Sequence, residues 1–345
     1  MTPELIQYLS PTGVCEPSVI QQIPEELIPK MYRQMVLTRL WDEKALSLQR
    51  QGRLGTFGSV RGQEAANIGM ALALQPQDWY IPAFREFGTL FTLGVPLKDQ
   101  FMLWGGYEQG NRIPEGLRIT PTCITVGSHI PHAVGVAYAA KLKGDNSIVM
   151  SCSGDGSTSQ GAFHEGLNMA AVFQVPYVAV IQNNHWAISL PVEKQTATQT
   201  IAEKGAAYAI ESARVDGNDV FAVYLTLKKF VERARAESKP ALVELVTFRM
   251  SDHTTADDSS RYRTPELVAE WEKKDPISRL KIFLTNHLKW KEDQFKQIHE
   301  ECTKEVNQAV QEYEAVETPS PESMFEEVYS EMPWHLQEQA DSFAK

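Results

Sequence analysis

Along residues 31–50 the side chains Met31, Met35, Leu37, Leu40, Trp41, Ala45 and Leu48 recur at spacings that share one face of a helix. The pattern predicts a core helix. Before it, the prolines, Gly13 and scattered polar residues of 1–26 sustain no period, so the chain is expected to open with an extended surface arm. A different pattern starts at Ser147, where SIVMSCS is a short apolar, β-branched run ending in Gly154-Asp155-Gly156. Residues 161–172 return to helical spacing through Phe163, Leu167, Ala170 and Ala171, and 177–181 form a second apolar run. Strand, helix and strand follow as a β-α-β unit. The alternation repeats downstream: Asp219 is placed to cap a helix over 220–236, Lys239 and Pro240 break it, and 241–248 reads as buried strand.

This order predicts an α/β fold, a mostly parallel sheet with helices on both faces, whose ligands gather at the carboxy ends of the strands. Beyond Arg263 the pattern is helical. Thr264-Pro265 and Asp275-Pro276 each pair a capping side chain with a first-turn proline, and Phe295, Ile298, Cys302, Val306, Ala309 and Tyr313 share a face. Three regions are therefore expected: an arm over 1–26, an α/β domain over 27–263, and a helical C-terminal extension over 264–345 that packs on the domain or on a partner chain. The acidic end, PESMFEEVYSEMPWHLQEQ, mixes its charges with Phe325, Trp334 and Leu336 and fits the last role.

Charge narrows the partners. Lys plus Arg number 33 against 44 Asp plus Glu, and the net charge of -11 opposes attraction to nucleic acid or anionic lipid. No apolar run approaches the roughly 18 residues of a membrane span, and no basic segment leads into an apolar one near the start, so neither a membrane nor a targeting signal is expected. Cys15, Cys123, Cys152 and Cys302 are far apart and form no CxxC pair, which fits a reducing cytoplasm.

The candidate chemistry lies where two predicted strands end, at Gly154-Asp155-Gly156 and at Asn183-Asn184, with one helix between. Alone, either is most often a plain turn. Together they suit a diphosphate bridged by Mg²⁺, which prefers oxygen ligands such as the Asp155 carboxylate and an Asn184 amide. Gly154 and Gly156 allow close backbone approach, and the helix expected after Gly156 would offer free N–H groups to the anion. Neither GxGxxG nor GxxxxGK[ST] occurs, so dinucleotide and nucleoside triphosphate sites lack their usual support.

The stretch GDGSTSQGAFHEGLNMAAVFQVPYVAVIQNN resembles the thiamine diphosphate motif. RQGRLG at 50–55, GQEA at 62–65, NRIPEGL at 111–117, AISLPVEKQT at 187–196 and DDSSRYR at 257–263 resemble the alpha subunits of 2-oxo acid dehydrogenases, so the similarity covers nearly the whole chain. The resemblance implies the thiamine-diphosphate-binding fold, with thiamine diphosphate and Mg²⁺ as cofactors. It implies Asp155, the Asn184 side chain and the backbone oxygen of Trp186 as metal ligands, Trp186 standing where Tyr or Phe is usual. Arg85 corresponds to an arginine that holds the diphosphate, and Phe84 replaces the usual Tyr. Val126 falls where a backbone group meets the aminopyrimidine, and Ile188 where an apolar side chain supports the bent cofactor.

His253 matches a loop histidine that bonds to the cofactor-bound substrate or moves a proton, and Arg249, Tyr262 and Arg263 join it in the implied catalytic set as residues that order the loop. Gln63 and Glu64 are equally well read as structural, and His129, where the family more often has Gln, is given no role. The resemblance further implies that the carboxylate facing the aminopyrimidine lies on a separate beta subunit, in a heterotetramer of two alpha and two beta subunits, with a lipoyl-bearing dihydrolipoamide acyltransferase as the larger partner. The expected reaction is oxidative decarboxylation of pyruvate with acetyl transfer to lipoamide. RVDGNDVFAVY, DDSSRYR and DPISRL look equally like the branched-chain enzymes, which leaves 3-methyl-2-oxobutanoate as the alternative substrate and a split transketolase-like subunit as a second alternative. Pockets that differ by a methylene discriminate by only about 1–3 kcal/mol, so substrate is hard to read from sequence.

Overall fold

The computed structural model describes residues 2–326 and 329–343. Its main sheet is built from β1 (Leu5–Ile6), β2 (Trp79–Ile81), β3 (Val149–Gly154) and β4 (Tyr177–Asn183), and, after a short ribbon of β5 (Trp186–Ala187) and β6 (Leu190–Pro191), from β7 (Glu211–Asp216) and β8 (Ala241–Val246). The order is β1-β7-β8-β4-β3-β2, and every pairing in it is parallel. Strands of this kind are buried on both faces, which is why they read as apolar runs. In β4 the side chains of Val178 and Val180 enter one core cluster, and those of Tyr177, Ala179 and Ile181 enter the other.

The first cluster lies under helices Leu27–Arg50, Glu64–Ala73 and Val220–Glu237, and Met31, Met35, Trp41 and Ala45 of the predicted helical face are all fully buried in it. The second lies under His129–Lys143 and Gly161–Phe173, through Ile130, Val134, Phe163 and Leu167. Each such side chain stabilises the fold by about 1.5–3 kcal/mol. The α/β fold with helices on both faces is therefore what the pattern predicted.

Capping residues place the helix starts. Asp219 accepts from the amides of Phe221 and Ala222, Thr264 from Leu267 and Asp275 from Ser278. Asp219 also accepts from the amides of Tyr8 and Leu9, at 2.6 Å each. The first residues thus do more than lie on a surface: they add an edge strand to the sheet, and Leu9 is fully buried. Helices Pro276–His287 and Glu292–Glu314 pack Leu280, Phe283, Phe295, Cys302 and Val306 into the same cluster as Leu27–Arg50. The helix expected over 161–172 is found at Gly161–Phe173, preceded by a short turn that the pattern did not show. The chain after Gly156 does not run straight into an α-helix; Asp155–Ser159 form a 3-10 turn, and the α-helix begins at Gly161.

Candidate active site

At the carboxy ends of β3 and β4 lies a cavity of about 380 Å³, lined by Arg85, Val126, Gly154, Asp155, Gly156, Asn184, Trp186, Ile188 and His253. Residues from five separate stretches of chain meet there. A larger hollow of about 720 Å³, between the arm and the Val220–Glu237 helix, contains none of the residues expected to carry chemistry.

The cavity floor is glycine backbone. A Cβ on Gly154 would meet no atom within 4 Å, so the bare backbone opens onto free space, whereas a Cβ on Gly156 would come within 2.8 Å of the Ala187 Cβ. Asp155 is 1% exposed and is held only by neutral donors: the Asn184 amide at 3.3 Å on Oδ1 and the Gln195 side chain at 2.6 Å on Oδ2. Burial therefore raises its carboxyl above the usual range, against those donors. Asn184 is oriented by its neighbours: Nδ2 donates to Gln63 Oε1 at 3.3 Å, and Oδ1 accepts from the Trp186 amide at 3.3 Å.

Arg249, fully buried, donates from Nη1 to the Trp186 carbonyl at 3.2 Å and from Nη2 to the Ile188 carbonyl at 2.7 Å. These bonds hold a strained stretch. Ile188, β-branched, has φ of 55°, and His185 has φ of 69°, backbone that non-glycine residues seldom adopt. The donor set of one carboxylate, one amide oxygen and one carbonyl is hard and all-oxygen, which fits Mg²⁺. Among the described residues no group of three or more His, Cys, Asp or Glu side chains converges to hold a softer metal.

Opposite this acidic corner sits positive charge. Arg85, 5% exposed, donates from Nη1 to the Ser59 carbonyl at 2.8 Å, and its Nη2 lies 2.9 Å from His253 Nδ1 and also bonds to the His253 carbonyl. Burial, and after it the charge of Arg249, push the Arg85 cation down to about 9. Burial depresses Arg249 in the same way. Arg85, a buried cation that lines the cavity, favours an anionic ligand there. Phe84, lacking the expected hydroxyl, instead packs its ring 5.3 Å from the Arg85 guanidinium.

His253 Nδ1 faces two donors, Arg85 at 2.9 Å and Arg249 Nη1 at 3.3 Å, so Nδ1 must accept and the ring proton belongs on Nε2. Burial first, then Arg85 and Arg249, lower its pKa to about 4. It is a neutral imidazole with one N–H to offer. Arg249, Tyr262 and Arg263 do not line the cavity. Tyr262 accepts from Arg249 at 2.8 Å and donates to Asp257, whose carboxylate also takes the His253 amide at 2.8 Å. Arg263 bonds to the carbonyls of Arg249, Met250 and Ser251 and to Ser259 Oγ. These three are thus placed as positioning residues rather than as groups that touch a substrate.

Three residues of the site, Glu86, Gln182 and Gln195, were not singled out by sequence, and a fourth, Gln63, was read as equally well structural. Gln63, Glu86 and Gln182 line the cavity, and Gln195 grips Asp155 from outside it. One signal was available, since Gln182 follows directly on the apolar run of β4. His129, given no role, bonds to the Cys123 carbonyl at 2.8 Å.

Residues 32–322 match the protein family described as Dehydrogenase E1 component. The chain belongs to that family. It is 45% identical over 326 residues to the pyruvate dehydrogenase E1 component subunit alpha of Acholeplasma laidlawii, covering 94% of each chain. It is 38% identical over 342 residues to the protein of the same name from Staphylococcus aureus, covering 99% of this chain and 92% of the relative, and 37% identical to that of Staphylococcus epidermidis. Membership of the dehydrogenase E1 component family implies use of thiamine diphosphate. No helix among the described residues of this E1 component is long and apolar enough to cross a membrane.

Proposed function

We propose that this chain is the alpha subunit of a pyruvate dehydrogenase, which decarboxylates pyruvate oxidatively and passes the acetyl group to lipoamide. The observation that carries the proposal is the meeting, in one cavity, of the Asp155–Asn184–Trp186 oxygen set with Arg85 and a neutral His253. The names of its relatives support pyruvate over a branched substrate. Thiamine diphosphate, when bound, supplies the electron sink for loss of CO₂ and for acyl transfer.

The chain's own residues position and neutralise. Asp155, Asn184 Oδ1 and the Trp186 carbonyl hold Mg²⁺; the Trp186 oxygen has a second lone pair besides the one that Arg249 uses. Arg85 would hold the diphosphate together with the backbone of Gly154 and Gly156. The backbone at Val126 and the Ile188 side chain, 47% and 58% exposed, would hold the cofactor's ring system. His253 would donate from Nε2 to the substrate carboxylate, or move a proton when the acyl group passes to lipoamide. Arg249, Tyr262 and Arg263 keep its loop in place.

A beta subunit brings the carboxylate that faces the aminopyrimidine, in a heterotetramer of two alpha and two beta subunits, and a lipoyl-bearing dihydrolipoamide acyltransferase accepts the acetyl group. We further propose the division into an arm (1–26), a cofactor-binding body (27–263) and a helical extension (264–345), with nucleic acid and membrane excluded as partners. None of the four cysteines is paired, which suits a reducing compartment, and the cytoplasm is the one proposed. The test is to purify the chain with its cognate beta subunit and follow ferricyanide reduction with thiamine diphosphate, Mg²⁺ and either pyruvate or 3-methyl-2-oxobutanoate. Faster turnover of pyruvate is expected. Preference for the branched acid would reassign the substrate, and no turnover of either by a cofactor-loaded complex would remove the dehydrogenase reading.

A further inference from the structure

The one carboxylate of the cavity that the proposed mechanism leaves unused is Glu86. It is 4% exposed, and its Oε2 is buried without a hydrogen-bond partner. Its position is defined by a chain of amides whose orientations are forced. The Thr89 amide donates to Asn67 Oδ1 at 3.3 Å, so Asn67 Nδ2 is the end that reaches Gln182 Oε1 at 3.4 Å. Gln182 Nε2 then donates to Glu86 Oε1 at 2.9 Å. With Oε1 fixed as an acceptor, Oε2 is the atom left to carry a proton.

The charge of Arg85 favours an ionised Glu86, but its guanidinium is bonded to Ser59 and His253 instead of to the carboxylate. Tyr80 of β2 and Cys152 of β3 face it, and burial holds both in their neutral forms. β4 presents neutral Gln182, and Arg85, the adjacent cation, directs its terminal nitrogens to Ser59 and His253. Burial raises the Glu86 carboxyl above its ordinary range and outweighs Cys152, the Ala83 and Arg85 amides and the Arg85 charge, which oppose it; none of these bonds to Oε2. Through Gln182, Glu86 is tied to the carboxy end of β4, where the diphosphate is to sit. There an ionised carboxylate would repel the ligand, and a protonated one would bind it.

We propose that Glu86 is a further binding residue of this site, a neutral carboxylic acid whose Oε2–H donates to an anionic oxygen of the ligand's diphosphate. This rests on the reading of the cavity as a thiamine diphosphate site. The test uses the complex with the beta subunit, titrated with thiamine diphosphate in the presence of Mg²⁺, as wild type, Glu86→Gln and Glu86→Ala. Melting curves of the three without cofactor establish that each is folded. Glu86→Gln keeps both an acceptor and a donor and is expected to bind nearly as wild type, whereas Glu86→Ala binds about tenfold to a hundredfold more weakly. The infrared difference spectrum of the loaded complexes, wild type minus Glu86→Gln, is expected to show the C=O stretch of a protonated carboxyl. Absence of that band, equal loss in both variants, or unaltered binding by Glu86→Ala would each overturn the proposal. A wild-type complex that binds no thiamine diphosphate would instead overturn the cofactor reading beneath it.

Discussion

Arg85 reaches a backbone carbonyl and a histidine from two different nitrogens, a task that needs a planar fork rather than a point charge. Arg85→Lys is therefore expected to weaken thiamine diphosphate binding by about tenfold to a hundredfold, read by fluorescence titration; an unchanged affinity would show that charge alone suffices. His253 and His185 are both lowered to about 4, in each case chiefly by burial. Unfolded histidines titrate near 6.5, so as pH falls from about 6.5 towards 4 the unfolded chain takes up protons first. Stability should be full above that window and decline within it. Urea midpoints should show this decline, and His253→Gln should make it shallower; an equal slope in the variant would mean that the imidazole is charged when folded. At this scale the sequence was informative where a residue has a charge or a motif, as at Asp155, Arg85 and His253. Gln195 and Glu86 escaped because their significance is a contact across many residues of chain, as in the bond from Gln195 to Asp155.

Among the elements, the best anticipated were those with local start signals. Asp219 illustrates the gain and the limit. Its role as helix cap was legible from its place before an apolar period, but its grip on Tyr8 and Leu9 was not. Removing it leaves four amides without their acceptor, so Asp219→Ala should destabilise the protein by about 3 kcal/mol, more than a simple cap, and expose the arm to proteolysis before residue 10. A loss below about 1 kcal/mol with the arm still protected would show that β1 is held by its pairing alone. The strands β1 and β2 went unread since two or three residues are too few for a period of two to register. The 3-10 turn after Gly156 was likewise invisible, because Ser157 and Thr158 bend it by bonding back to the carbonyls of Gly154 and Asp155.

Considered as a whole, the molecule leaves apolar side chains bare around its site. Ile124, Val126 and Ile188, all in the cavity lining, are 62%, 47% and 58% exposed, and Leu190 in the adjoining ribbon is 44% exposed. Contiguous exposed apolar surface marks a contact with another chain, and the beta subunit is the occupant proposed here. Leu190→Glu should weaken association of the two subunits at least about tenfold while changing the stability of the isolated alpha chain by no more than about 0.5 kcal/mol. Gel filtration and urea titration read the two effects separately, and undiminished association would move the interface elsewhere.

The guanidinium groups of Arg85, Arg249 and Arg263, each depressed by burial, carry a consequence beyond catalysis. Their mutual repulsion works against the fold that holds them, and an anionic ligand that binds beside Arg85 in the native chain alone shifts the folding balance in proportion to its concentration. Vitamin supply would then govern how much of this protein a cell keeps. In a thiamine-starved culture the chain should be cleared by quality-control proteases faster than it is made, and restoring the vitamin should refill the pool before any change in transcription.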